Sequence, residues 1–342
     1  MSNLTQMFNE GVIWMNENKL EQALGRFLEL EANPDVSPLC HYFIARISNM
    51  IGEPEEAYDL YYKAFEAMPN LTSKIFGQDH PNFNYVFPGR REEKENKVCT
   101  LCGQEGVPRW TYSLADTGHL NSNFNPVRMW NYCEACHHMY AAEFPEKLFI
   151  HNTAPRQANP HYFSYYSTIL ANLRSTGYAI GMTLFEVGLG ASECMLAARE
   201  IGYIPFGIDV IERHVEDAVN KYGLDAETAD FIEFETDQKW DVVIMGDVIE
   251  HVSDPLAALK KAESLLTDDG AVWISTPTFE SAYSLVVGHD DPMRKQQFHL
   301  NYFSRESLYM LLDQVGLVPV DYQISAHYNG SMEVVAIKAS RF

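Results

Sequence analysis

Phe185-Glu-Val-Gly-Leu-Gly-Ala-Ser192 is the stretch that decides the fold. The run up to Val187 is short, apolar and strand-like, and the residues from 192 have helical spacing. The glycines between them let the backbone turn sharply and approach a ligand closely. Alone, such a turn is a weak signal. Seventeen residues after Ser192, however, the next strand-like run ends in Gly207-Ile-Asp209-Val. A carboxylate there can accept both hydroxyls of a ribose. Ser192 stands where a third glycine would be, and the lysine of a phosphate-binding loop is missing. A dehydrogenase would use a similar layout. Glu186 ahead of the first glycine, and the character of the chain's end, argue against it.

Outward from the turn, apolar runs at 183–187, 204–208, 240–245 and 271–276 alternate with helical stretches at 192–202, 211–222 and 252–267. That alternation predicts an α/β fold: a parallel sheet with helices on both faces. The end differs. A helix over 305–315 precedes strands at 318–325 and 332–338, joined through Tyr328-Asn-Gly330. Asn-Gly predicts a tight hairpin, so the sheet should close with antiparallel strands.

An open Rossmann-like sheet closed in this way resembles the class I S-adenosylmethionine-dependent methyltransferases, and residues 183–320 resemble them throughout. The resemblance implies that Glu186, Gly188 and Gly190 border the methionine part of S-adenosylmethionine and that Asp209 holds the ribose. It implies that Asp230 meets the adenine amine, that Phe231 lies beside the ring, and that Gly246 borders the methionine group. Plain structural roles compete with these: Asp209 as a helix N-cap, Phe231 as core.

The run Met245-Gly-Asp247-Val-Ile-Glu250-His251 carries a second constellation. A helix starting near Val248 would put Asp247 at its N-cap and Glu250 and His251 on its first turn. His299 is expected at the same rim. The run resembles the Glu-x-x-Glu-His metal site of ubiquinone-biosynthesis O-methyltransferases and of small-RNA 3′-end methyltransferases, with Asp247 in place of the first Glu. Three readings stand side by side. Asp247, Glu250, His251 and His299 bind a divalent metal such as Mg; or His251 or His299 acts directly as base with Glu250 orienting it; or the group is structural. His289-Asp290-Asp291 is expected to be a solvated acidic loop.

Residues 1–72 read as two helical hairpins repeating at 34 residues, with Gly11 matching Ala45, Ala23 matching Ala57 and Phe27 matching Tyr61. The pattern is similar to tetratricopeptide repeats, although two repeats fall short of the usual three. Residues 73–96 are Pro-, Asn- and charge-rich and read as a linker. In 97–145 lie Cys99-Thr-Leu-Cys102 and Cys133-Glu-Ala-Cys136, a spacing that predicts a closed four-thiolate structural zinc site. His137 and His138 are expected at the surface or just outside that shell. The methyltransferase domain is expected over 146–342. Four cysteines followed by Tyr162-Phe-Ser-Tyr-Tyr166 and a donor-binding domain resemble deoxysugar C-methyltransferases, which implies that this aromatic stretch leads into the donor pocket.

The formal net charge of -22 opposes binding to nucleic acid or anionic membranes. No basic, then apolar, leader is visible and no apolar run could span a bilayer, so a cytoplasmic protein is expected. The leading reading is methylation, on oxygen or carbon, of a small hydroxylated acceptor such as a sugar or nucleotide-sugar, with His or metal assisting deprotonation. The alternatives are a peptide or protein methyltransferase whose N-terminal repeats hold the substrate, and a non-catalytic donor-binding scaffold that recruits a protein partner.

Overall fold

A computed structural model describes residues 3–121, 123–146, 156–175, 177 and 180–341. The chain opens with α1 (Asn3–Asn16), α2 (Leu20–Glu31), α3 (Ser37–Ile51) and α4 (Pro54–Ala67), and α1 packs on α2 as α3 packs on α4. Small residues set the spacing. A Cβ on Gly11 would lie 2.9 Å from the Phe27 ring. Phe27 stacks on Phe43 with centroids 5.4 Å apart. Ala23, Ala45 and Ala57 are fully buried around them. The stretch expected to be a linker is partly regular. It begins within α5 (Thr72–Ile75) and ends in β1 (Lys94–Glu95), which pairs with a strand at Glu143–Phe144.

Next come β2 (Val107–Ser113), β3 (Val127–Cys133), β4 (His138–Ala141) and β5 (Glu143–Phe144). The first three form a meander, and its fourth strand comes from far downstream, Asn301–Phe303, on the outer edge of β4. The helices pack on this sheet: Asn49 Oδ1 accepts from Thr111 N, and Thr111 Oγ1 donates to Pro54 O, both at 2.7 Å.

After α6 (Tyr162–Ser175) the expected alternation follows: β6 (Thr183–Val187), α7 (Glu193–Ile201), β7 (Ile204–Asp209), α8 (Glu212–Glu216), β8 (Asp225–Thr228), β9 (Trp240–Gly246), α9 (Pro255–Leu265) and β10 (Leu266–Pro277). The chain continues through α10 (Ala282–Val287), β11 (Asn301–Phe303), α11 (Arg305–Gln314), β12 (Leu317–Ile324) and β13 (Ser331–Lys338). The seven-stranded sheet runs β12-β13-β10-β9-β6-β7-β8, with β13 antiparallel to both its neighbours. Alternate side chains divide between two buried layers, as strand geometry requires. Phe185, Val187, Val243, Met245 and Ile274 face α9 and α11, while Leu184, Val242, Ile244 and Trp273 face α6 and α7.

Two local expectations fail. A two-residue Asn-Gly turn of type I′ needs positive φ at both residues. Here residues 325–330 form the loop, and only Gly330 takes a positive φ, 87°. No helix starts near Val248 either. Residues 247–252 form a turn, with Asp247 in the left-handed region at φ 53°. The helix begins instead at Pro255, with Asp254 as N-cap accepting from Ala257 N at 2.9 Å. No helix among the described residues is long and apolar enough to cross a membrane.

Candidate active site

The turn after β6 is tied to the end of β7. Gly188, Gly190 and Ser192 have φ of 71°, 52° and 69°, so the backbone amides fold back over the strand end. Gly190 N donates to Asp209 Oδ2 at 2.9 Å and Ile211 N to Oδ1 at 2.8 Å. His214 Nδ1 lies 3.2 Å from the same Oδ2. Asp209 is therefore held by the loops on both sides. Beside it lies a cavity of about 520 Å³ whose lining includes Gly188, Asp209, Asp230, Phe231, Gly246 and His251. A second cavity, about 210 Å³, shares Gly188, Gly246 and Asp247 and reaches Glu186 and Gly190. Nucleoside-sized and amino-acid-sized spaces thus meet at Gly188 and Gly246.

Glu186 tests whether S-adenosylmethionine fits. Its side chain is buried, its Oε2 has no hydrogen-bond partner, and burial pushes its carboxyl well above the usual range, helped by the nearby Glu193 and Asp209 carboxylates. A buried carboxylate without a partner is costly, and an ammonium group beside it would relieve that cost. The donor's methionine part carries such a group. The chemistry of the smaller cavity therefore fits the donor.

The mouth of the smaller cavity was only partly foreseen. Tyr162, Tyr165 and Tyr166 line it, alongside Arg156, His327 and Tyr328. Arg156 grips Glu193 through two hydrogen bonds of 3.0 and 2.7 Å, and its guanidinium sits 4.9 Å from the centre of the Tyr162 ring. Tyr165 stacks on His327 at 4.5 Å. Arg156 and His327 belong to no motif, so no sequence signal marks them.

Glu250, His251 and His299 come together, with one potential ligand atom from each within 4.8 Å of the others. Asp247 is not in this group. Its carboxylate accepts from Ser275 Oγ at 3.0 Å, and burial, with the neighbouring Glu250, lifts its pKa to about 7. Glu250 Oε2 accepts from Thr276 Oγ1 at 3.0 Å, while Oε1 has no partner; burial raises this carboxyl to about 8. His251 Nδ1 lies 3.0 Å from Phe298 O. A carbonyl only accepts, so Nδ1 carries the proton and Nε2 keeps a free lone pair. Burial lowers the pKa of both histidines, leaving neutral rings 4.9 Å apart.

The four cysteines also converge. Their sulfurs lie within 4.8 Å of one another, with Cys99–Cys136 at 3.5 Å and Cys102–Cys133 at 3.4 Å. A tetrahedral site with Zn–S bonds near 2.3 Å has sulfurs about 3.8 Å apart, so a zinc ion would fit with little movement. His138, expected at the surface or just outside the thiolate shell, is fully buried beside Cys133 in the strand pairing, with Nε2 3.1 Å from Asn301 Oδ1. Asp291 is no solvated loop residue either. It is fully buried and accepts from Tyr302 OH at 2.6 Å, from Met293 N at 3.0 Å and from Ser284 Oγ.

Comparison with known proteins agrees with this geometry. Residues 156–322 match the family model described as Methyltransferase domain. A ubiquinone biosynthesis O-methyltransferase of Cereibacter sphaeroides is 32% identical over 154 residues, 41% of this chain and 62% of that protein. One of Caulobacter vibrioides is 30% identical over 103 residues, 28% of this chain and 41% of that protein. The matches therefore span about half the length of these relatives. Among solved structures, the magnesium protoporphyrin IX methyltransferase of Synechocystis is 17% identical with a TM-score of 0.44, covering 54% of this chain and 90% of that one. Residues 156–322 thus match a methyltransferase domain, and their sheet order and glycine turn held by Asp209 agree with the class I, S-adenosylmethionine-binding kind.

Proposed function

We propose that the chain is an S-adenosylmethionine-dependent methyltransferase that methylates a hydroxyl of a small acceptor. The observation that carries this is the cluster of Glu250, His251 and His299 beside the donor cavity. Methyl transfer is an in-line displacement at a sulfonium, and a neutral hydroxyl is a poor nucleophile until its proton is removed. His251 faces the larger cavity with Nε2 free, so it takes the proton there, and Phe298 O holds the resulting imidazolium through Nδ1–H. The donor half of the reading rests on Glu186, Gly188, Gly190 and Gly246 around the methionine, Asp209 at the ribose, and Asp230 with Phe231 at the adenine.

The unpartnered Oε1 of Glu250 favours a second form of the same reading, in which Glu250, His251 and His299 hold a divalent ion. Bound there, the ion would acidify the acceptor hydroxyl. Two imidazoles and one carboxylate suit a transition-type ion better than magnesium, which prefers oxygen ligands. The four cysteines hold a structural zinc in this reading. The relatives named for ubiquinone biosynthesis support oxygen as the methylated atom; a sugar or nucleotide-sugar is the narrower class suggested by the cysteine segment.

The test is calorimetry with S-adenosylhomocysteine, followed by methyl transfer from labelled donor to a panel of hydroxylated acceptors, with and without chelator. Binding of the product and turnover on at least one hydroxyl are expected. His251→Ala should lose about 10²–10⁴-fold in turnover while binding the donor product normally. Full activity in both His251→Ala and His299→Ala would sink the assignment. Loss of activity with chelator, restored by a divalent ion, selects the metal form.

A further inference from the structure

Residues 292–303 cross the face of the cysteine-bearing sheet as a strap leading into β11. Side chains take its backbone carbonyls one after another. Trp130 Nε1 donates to Arg294 O at 2.9 Å and Thr117 Oγ1 to Lys295 O at 3.1 Å. Arg128 Nη2 donates to Gln297 O at 3.1 Å and Nη1 to His299 O at 2.7 Å. The carbonyl between those two, Phe298 O, faces His251. The Gln297 side chain is held as well, donating to His119 O at 2.8 Å and accepting from Asn121 N at 2.7 Å. On its other side the strap grips the 247–252 turn. Leu300 N and Asn301 N donate to Glu250 O at 2.8 and 3.1 Å, and Asn301 Nδ2 donates to Val252 O at 2.7 Å.

Arg128 is the costly part of this arrangement. It is 1% exposed, it is the second residue of β3, and it donates to two carbonyls rather than to a carboxylate. Burying a guanidinium without a directly bonded counter-charge is costly, and burial lowers its pKa despite Glu93 and Glu143 nearby. A neutral side chain could fill the space more cheaply. What the guanidinium adds is a rigid fork that reaches two carbonyls two residues apart. Those carbonyls flank the one that faces His251, and one belongs to His299 itself.

We infer that Arg128 is a positioning residue: its clamp on the Gln297 and His299 carbonyls sets the His299 ring against His251 and Glu250. The cysteine-bearing sheet is then part of the machinery that shapes the deprotonating cluster, not a separate cap. This rests on the role proposed above for that cluster, but the geometry it claims is testable without turnover.

The experiment uses the full chain with its metals as isolated. Wild type, Arg128→Lys and Arg128→Met are compared by the imidazole NMR signals of His251 and His299, by amide exchange at Leu300 and Asn301, and by affinity for S-adenosylhomocysteine. In Arg128→Met the His299 signals should shift and both amides should exchange at least about tenfold faster, with donor-product affinity within about twofold of wild type. Arg128→Lys, which keeps the charge but reaches only one carbonyl, should recover part of both changes. Wild-type signals and protection in Arg128→Met overturn the inference. If that variant does not fold, an unshifted His299 in Arg128→Lys overturns it instead. Failure of the wild-type chain to bind S-adenosylhomocysteine would sink the methyl-donor reading while leaving the strap result standing.

Discussion

The two walls of the donor cavity are built by opposite means. The donor wall comes from neighbours in the chain: one turn, one strand end and the Asp230-Phe231 pair, tied by backbone amides to Asp209. The wall holding Glu250, His251 and His299 is gathered from a turn, a strap and a sheet far apart in sequence. The donor wall's Asp209 has three hydrogen-bonding contacts, while the opposite wall leaves a carboxylate oxygen of Glu250 with none. Each wall keeps an unpartnered carboxylate oxygen, Glu186 Oε2 on the donor side and Glu250 Oε1 on the other, so what separates them is how they are assembled. That separation implies that each wall can be damaged without the other.

The largest expected effect breaks the second wall at its foundation. Cys133→Ser removes one thiolate from the four-sulfur cluster, and a structural zinc site supplies about 10 kcal/mol or more of folding energy. Bound zinc, measured by mass, should fall below one equivalent, and the unfolding transition should move down or split in two. Donor-product affinity should drop no more than about tenfold, because Leu189 in the glycine turn packs with Met195, Val215 and Leu224, apart from the cysteines. Equal loss of zinc and of donor binding would show that the walls are not separable. Asp209→Ala is the converse. It removes the anchor of Gly190 and the proposed acceptor for the ribose, so S-adenosylhomocysteine affinity should fall about 10²-fold, roughly two good charge-assisted hydrogen bonds. Zinc content should not change.

What could be read from the sequence follows the same division. Strands at 183–187 and 240–246, and Asp209 at a strand end, are legible because apolar period and short spacing are local properties. The helical stretch at 252–267 matches α9, whose start is marked by Asp254-Pro255, an N-cap followed by proline at the first helical position; only the earlier start near Val248 fails. The pairing of β11 with β4 was not legible, since three residues carry no period and the register depends on a strand more than 150 positions away. Arg128 carries no local signal of its burial, because the strap that covers it lies about 170 positions downstream. Glu193, in the first turn of α7, likewise gives no sequence sign that it is 1% exposed and gripped by Arg156.

A smaller effect sharpens the contrast through pH. Asp247 and Glu250 have carboxyls raised from 3.8 to about 7 and from 4.5 to about 8. The folded chain therefore holds protons that the unfolded chain has released. The stability these groups contribute is fully present below about pH 4 and is lost as pH rises through 7 and then 8. Thermal unfolding without added ions should move to lower temperature across that window. A divalent ion on Glu250 would flatten the upper part of the fall and leave the part due to Asp247. A slope untouched by any divalent ion would favour His251 acting directly as base.

The smallest effect concerns Ser192, the residue in place of a third glycine. At φ 69° it pays the left-handed penalty of about 1 kcal/mol, and its buried Oγ has no hydrogen-bond partner, a further cost of about 1 kcal/mol. Glycine removes both, against about 0.5–1 kcal/mol of extra entropy in the unfolded chain. Ser192→Gly should therefore stabilise the donor-free protein by about 1 kcal/mol in chemical denaturation. The same variant says what the hydroxyl is for. If donor-product affinity is unchanged, the serine is a tolerated departure in a wall that binding does not need to refine. If stability rises while affinity falls, the orphan hydroxyl is completed by the donor, and the locally built wall keeps it, like Glu186 Oε2, unsatisfied until its ligand arrives.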